Sequence, residues 1–208
     1  GQQVVRDRQA LEACLAAMDA AEIAAHGLVL EENLRDPATY SVGQVHVGNA
    51  VASYYGQQRL TVDNQGHEVY GGSDLTVARG GFDALLALSC PDEMRLAVEQ
   101  ACTFHRAVES SFPGFLASRI NYDVAQGVNG AGRWCSGVVE QSWRVGGASG
   151  AEIAALEIFD EQPQRAAVNA SCFEVYGDGV VPPPNACVYF SGVDASVGPI
   201  TKYTVVEP

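Results

Sequence analysis

Lysine is nearly missing from this chain: 11 of its 12 basic residues are arginine and Lys202 stands alone. That excludes a phosphate-cradling Gly-Lys-Ser/Thr loop and a Ser-x-x-Lys pair, and leaves one residue for Schiff-base chemistry. Cysteines occur at 14, 90, 102, 135, 172 and 187, but none forms a Cys-x-x-Cys pair, so a metal knuckle and a thioredoxin-like motif are excluded. No run of 18 apolar residues is present, and Gly1-Gln2-Gln3 lacks a basic and then hydrophobic signal. No membrane span or targeting peptide is expected in the sequence as given, so export requires a leader or membrane segment outside it. Positive charge is scarce as well: 25 acids against 12 bases give a formal −13, which repels phosphate backbones and anionic membranes at long range. Nucleic acid is therefore not an expected partner.

What is present suffices for a core, since 47% of the 208 residues are hydrophobic. The chain reads as a single domain, 1–208, with a helix-rich first half (1–120) and a strand-rich second half (133–208). Arginine with abundant alanine and glycine suggests a GC-rich coding bias and so a bacterial source.

The best-marked element is Pro91 to Phe112. Proline at the first helical position loses no hydrogen bond, and Asp92 and Glu93 place negative charge at the positive end of the helix dipole. Met94, Val98, Ala101, His105, Val108 and Phe112 recur at spacings of four and three, which predicts one buried face. Cys102 and Glu109 flank His105 at i−3 and i+4, so thiol, imidazole and carboxylate share neighbouring turns. This set falls short of the four ligands of a zinc site.

Val4 to Leu34 is alanine-rich and predicts one helix of about 45 Å unless Gly27 breaks it, ended at Asp36-Pro37. Strand-like segments follow at 41–47, 59–62, 67–70 and 75–79, with Asp63-Asn64-Gln65-Gly66 as a hairpin turn and 70–74 as another. The acidic spacing at 63–66 does not fit a calcium loop. A short helix is expected over 82–88 and a surface loop over 121–132. From Cys135 to Val145 the pattern alternates with period two, as in a strand with one buried face. Ser149 to Glu152 has capping-box spacing, but the acidic end at Asp160-Glu161 favours a strand there. Strands at 166–176, 186–191 and 200–206 complete the set, with Pro182-Pro183-Pro184 as a stiff projecting loop. The expected fold class is α+β: a long N-terminal helix and the central helix on one face of an antiparallel, meander-like sheet.

An even cysteine count suggests three disulfides in an oxidising compartment. Cys172 with Cys187 across a long hairpin, Cys90 with Cys102, and Cys14 with Cys135 by elimination form one of fifteen pairings.

Three classes of function fit. The first is an exported, non-enzymatic structural or assembly component, periplasmic or extracellular, which acts through a protein partner or self-assembly and meets a membrane only through a segment outside this chain. A long N-terminal helix, then a sheet and a cysteine-framed loop resemble the layout of a type IV pilin or pseudopilin without its membrane-spanning segment. The second is a small-ligand or peptide-binding module whose pocket, between helices and sheet, is lined by Tyr54, Tyr55, Phe104, His105, Glu109, Trp134 and Trp143. The third is a hydrolase, for which Gly147-Ala148-Ser149-Gly150 lacks the nucleophile-elbow pattern and Cys102 with His105 shares a single helix. No cofactor, metal or catalytic residue is indicated.

Overall fold

The computed structural model describes residues 3–207. Where the sequence suggests one long N-terminal helix there are two short ones, α1 (Arg8–Ala17) and α2 (Ala20–His26). Met18 is extended and the Asp19 carboxylate accepts from the Ala21 amide, which starts a new helix; Gly27, at φ 77°, ends it. Neither helix buries a residue, so no tertiary contact overrides that local break.

The remaining elements are β1 (Arg35–Val47), β2 (Ala50–Val62), β3 (Glu68–Arg79), α3 (Phe82–Leu86), α4 (Asp92–Ser111), β4 (Arg119–Val128), β5 (Trp134–Ser142), α5 (Ser149–Glu161), β6 (Ala167–Tyr176), β7 (Cys187–Asp194) and β8 (Gly198–Val206). The fold is α+β: the strands form one open antiparallel sheet in the order β5-β4-β1-β2-β3-β6-β8-β7, with helices packed on it. Contacts divide the chain into two units, one running up to Pro37 and including Gly127–Cys135, the other comprising Ala38–Gln126 and the residues from Ser136 on. No helix among the described residues is long and apolar enough to cross a membrane.

Helices cover both faces of the sheet, not one. Consecutive strand residues point to opposite faces, and the neighbours Tyr54 and Tyr55 belong to separate cores. Tyr55 packs with Met94, Ala97, Val98 and Ala101 of α4 and with Ile120, Tyr122 and Val124 of β4. Tyr54 packs with Ala151, Ala155 and Phe159 of α5 and with Val168, Ala170 and Cys172 of β6.

α4 follows the predicted stripe: Met94, Val98, Ala101 and Val108 are buried, whereas Phe112 at the end is exposed. α5 replaces the strand expected over 150–160. Ala151, Ala154 and Ala155 let it lie close to the sheet, and alanine is the best helix former. The acidic C-terminal end is offset from another element, since Arg79 of β3 donates through Nη2 to the Phe159 carbonyl and, at 3.1 Å, to that of Gln162. Over 121–132 a loop was expected, yet β4 runs to Val128 with Ile120, Tyr122, Val124 and Gln126 buried in alternation. Residues 70–74 continue β3 past a register shift at Arg59/Leu60 and do not turn. β5 is a strand as expected, but it lies at the sheet's edge and shows no clean buried face.

All six cysteines are free, so the expected bridges are not formed. Cys172 and Cys187 both stand opposite Thr204 of β8, on its two sides. They are therefore two strand spacings, about 10 Å, apart, beyond the roughly 7 Å a disulfide spans. Cys90 precedes α4 and Cys102 lies ten residues beyond Asp92, about 15 Å along the helix. The Cys14 thiol donates to Gln3 Oε1 at 2.8 Å and that of Cys135 to the Arg133 carbonyl at 3.7 Å.

Candidate functional site

Alternation along three strands of the second unit sets up the site. Ile120, Tyr122 and Val124 face α4, so Arg119, Asn121 and Asp123 turn to the face that α5 covers. Ser41 on β1 and Gln58 on β2 share that face, as does Tyr54. An apolar face is the ordinary choice beneath a helix, and Val45, Ala52, Leu75, Val77, Val168 and Ala170 supply one under α5; Ser41, Gln58, Asn121 and Asp123 add amides, hydroxyls and a charge to the same face.

Asp123 is the hub. Its Oδ1 accepts from Ser41 Oγ at 3.0 Å and from Asn121 Nδ2 at 2.9 Å, and its Oδ2 accepts from Gln58 Nε2 at 3.0 Å. Asn121 Oδ1 in turn accepts from the Tyr54 hydroxyl at 3.1 Å. Tyr54 is fully buried, and burial first, with Glu152 and Asp123 nearby, holds its hydroxyl well above the ordinary tyrosine range. Its ring lies against Gly43, where any added Cβ would overlap it, so glycine at that position lets the hydroxyl reach Asn121. Asn121, Asp123, Gln58 and Arg119 are all half-buried.

Beside this network lies an ion pair. Arg119 donates through Nε to Glu152 Oε1; Glu152, in the first turn of α5, is fully buried and its second oxygen has no partner. Burial pushes the Glu152 carboxyl up to about 7, while the Arg119 guanidinium pulls it back. A carboxyl poised there can hold or release a proton near neutral pH.

Of the residues predicted from sequence, His105, Glu109, Phe104 and Trp143 do come together, on the α4 face and around Tyr122. His105 Nδ1 is 2.8 Å from the Tyr122 hydroxyl, which also accepts from Trp143 Nε1 at 3.4 Å. An indole N–H only donates, so the hydroxyl accepts there, and on its other side it meets Nδ1; Nε2 lies 3.5 Å from Glu109 Oε1. Phe82 and Phe115 set their rings against His105. The histidine is thus a partnered group in an aromatic nest. Cys102 makes no hydrogen bond to it, and burial pushes that thiol up to about 11, out of reach of a neutral-pH thiolate.

The other candidates scatter. Tyr55 is core beneath α4, Tyr54 is on the opposite face, and Trp134 is exposed in the first unit. Phe104 lines a groove of about 570 Å³ with Leu96, Gln100, Thr103 and Val138, between α4 and β5. No group of three or more His, Cys, Asp or Glu side chains able to hold a metal is found among the described residues. Sequence reasoning missed Ser41, Gln58, Arg119, Asn121, Asp123 and Glu152. A signal for the β4 members was present, because Ile120-Asn121-Tyr122-Asp123-Val124 alternates strictly between apolar and polar.

A family model described as protein of unknown function (DUF3182) matches residues 1–204. No curated protein and no solved structure matches the chain.

Proposed function

The chain belongs to that family, and from this premise we propose that it is a small-molecule-binding domain that takes a polar ligand on the β1-β2-β4 part of the sheet face under α5. One observation carries the reading: Asp123 gathers donors from three strands at a half-open position, beside a buried carboxylate with an oxygen to spare. Polar side chains on a sheet face weaken a core unless they do something else there. Asp123 and Asn121 hydrogen-bond the ligand; Tyr54 and Ser41 fix their rotamers. Glu152 makes proton transfer at this site available, so a catalytic role is a property of the same geometry.

The test is retention. Protein purified under native conditions is denatured, and the released small molecules are compared by mass spectrometry between wild type and Asp123→Asn. A molecule held by the first and absent from the second supports the reading; identical profiles overturn it.

A second reading, assembly with a protein partner or a second copy, draws on β7, which ends the sheet with all eight residues exposed, Tyr189, Phe190 and Val193 among them. An uncovered edge offers ladder groups to another strand. A monomer in solution at every concentration tested, with no partner strand bound, removes that reading. Neither depends on compartment; an exported or pilin-like role now stands without its bridge framework.

A further inference from the structure

We propose that Arg119 is an oxyanion anchor, taking a carboxylate or phosphoryl group of the ligand on its guanidinium fork while Glu152 holds the guanidinium from behind. The inference rests on the binding-site reading above and adds the chemical class of the ligand. It starts from a contrast among arginines. Arg59 places Nη2 on Asp74 at 2.7 Å, Arg79 places Nη2 on two carbonyls at the end of α5, and Arg95 gives Nη1 and Nη2 to the carbonyls of Leu86 and Leu88. Arg119 commits only Nε, to Glu152, and among the described residues Nη1 and Nη2 have no hydrogen-bond partner.

The side chain is 15% exposed, and Glu152 Oε2, not either Nη, is the fully buried atom left without a partner among the described residues, so the fork keeps a narrow access to solvent. It suits a planar, bidentate partner, because the two terminal nitrogens match the spacing of two oxygens on a carboxylate or phosphoryl group. Glu152 fixes the orientation of the fork from its Nε side and has no exposed surface of its own, so it does not occupy the open side.

Placement of the neighbours extends the description. Asn121 and Asp123 follow Arg119 on the same face of β4 at steps of two, which sets Asp123 about 13 Å along the strand from the anchor. A ligand that uses both ends carries an oxyanion at one and hydroxyl or ammonium donors for Asp123 at the other. The chain's formal −13 opposes an anion at long range, but exposed charges are screened beyond about 10 Å at 0.1 M salt, so the local fork decides.

The experiment is titration calorimetry of the full chain with inorganic phosphate and, separately, succinate, on wild type and Arg119→Lys. Lysine keeps the charge opposite Glu152 but loses the fork. Saturable binding of either probe, weakened about tenfold or more in Arg119→Lys, supports the anchor and tells a phosphoryl from a carboxylate source. Binding of neither probe, or equal binding by the variant, overturns it. Should the variant unfold, guanidinium 15N spectra of wild type serve instead: a new slowly exchanging Nη signal on adding the probe supports the anchor, and its absence overturns it. The two proposals fail separately. Retained ligand lost in Asp123→Asn but not in Arg119→Lys keeps the site and ends the anchor; probe binding lost in Arg119→Lys with no retained ligand does the reverse.

Discussion

The two faces of the sheet hold polar groups in opposite ways. On the α4 face His105, Tyr122, Trp143 and Glu109 form a chain in which the tyrosine hydroxyl bridges imidazole and indole, and aromatic rings close around the imidazole. On the α5 face Glu152 keeps an oxygen and Arg119 a fork without partners among the described residues. Buried polar groups that satisfy one another rigidify a core; groups left with capacity mark where something else binds. Histidine in an apolar stripe is the sharpest chemical constellation in the sequence, and it lies on the better-satisfied side.

The largest effect comes from Gly43, where the α5 face leaves no room for a Cβ. Gly43→Val drives a side chain into the Tyr54 ring and against the Ile120 carbonyl, both buried. Destabilisation of about 3 kcal/mol or more in urea denaturation is expected, because neither neighbour is the free end of a flexible chain. A small change would mean the ring shifts freely and that the tyrosine does not position Asn121.

Next in size is a pH effect confined to the α5 face. Glu152 has its carboxyl raised from 4.5 to about 7 in the folded state, so between those values the folded chain binds more protons than the unfolded one. Its contribution to stability is complete below about pH 4.5 and is lost as pH rises through about 7, a difference of about 3 kcal/mol at most. Glu152→Gln flattens that slope in urea melts taken at successive pH values. Equal slopes in wild type and Glu152→Gln would place the titration elsewhere. Arg79→Gln, which removes the guanidinium from the α5 C-terminus and from the face of the Phe159 ring, lowers the urea midpoint by about 1–2 kcal/mol in equivalent stability at every pH.

Legibility in the sequence followed the range of the interaction. α4 could be read because its start signal and its apolar stripe lie within the element itself, and the hairpin at 63–66 because its turn residues do. α5 was misread, since what stabilises its acidic end is Arg79, some eighty residues away and invisible to local pattern. The long N-terminal helix failed at one residue, Asp19, whose cap outweighs the alanines around it. Bridges read from an even cysteine count failed on register, which puts Thr204 between Cys172 and Cys187. Asp123 and Asn121 belong to a strand whose alternation is readable, but the expected loop over 121–132 took in both. Arg119 with Glu152 required three dimensions, because no spacing relates a strand residue to a helix 33 positions on.

The smallest stability change carries the functional contrast. Tyr122→Phe leaves the exposed Trp143 without the acceptor of its N–H and the largely buried His105 without its Nδ1 partner, at about 1–2 kcal/mol, and has no effect on retained small molecules. Asp123→Asn is isosteric and half-buried; the new amide keeps Oδ1 for Ser41 and Asn121, and Gln58 turns its own amide to accept from the new Nδ2, so the cost is about 1 kcal/mol. Retention of ligand is nonetheless lost in this variant, because the carboxylate charge is gone. Stability and binding therefore move in opposite order on the two faces. Were Tyr122→Phe to lose the ligand and Asp123→Asn to keep it, the faces would have been assigned the wrong way round, and the histidine nest would be the site.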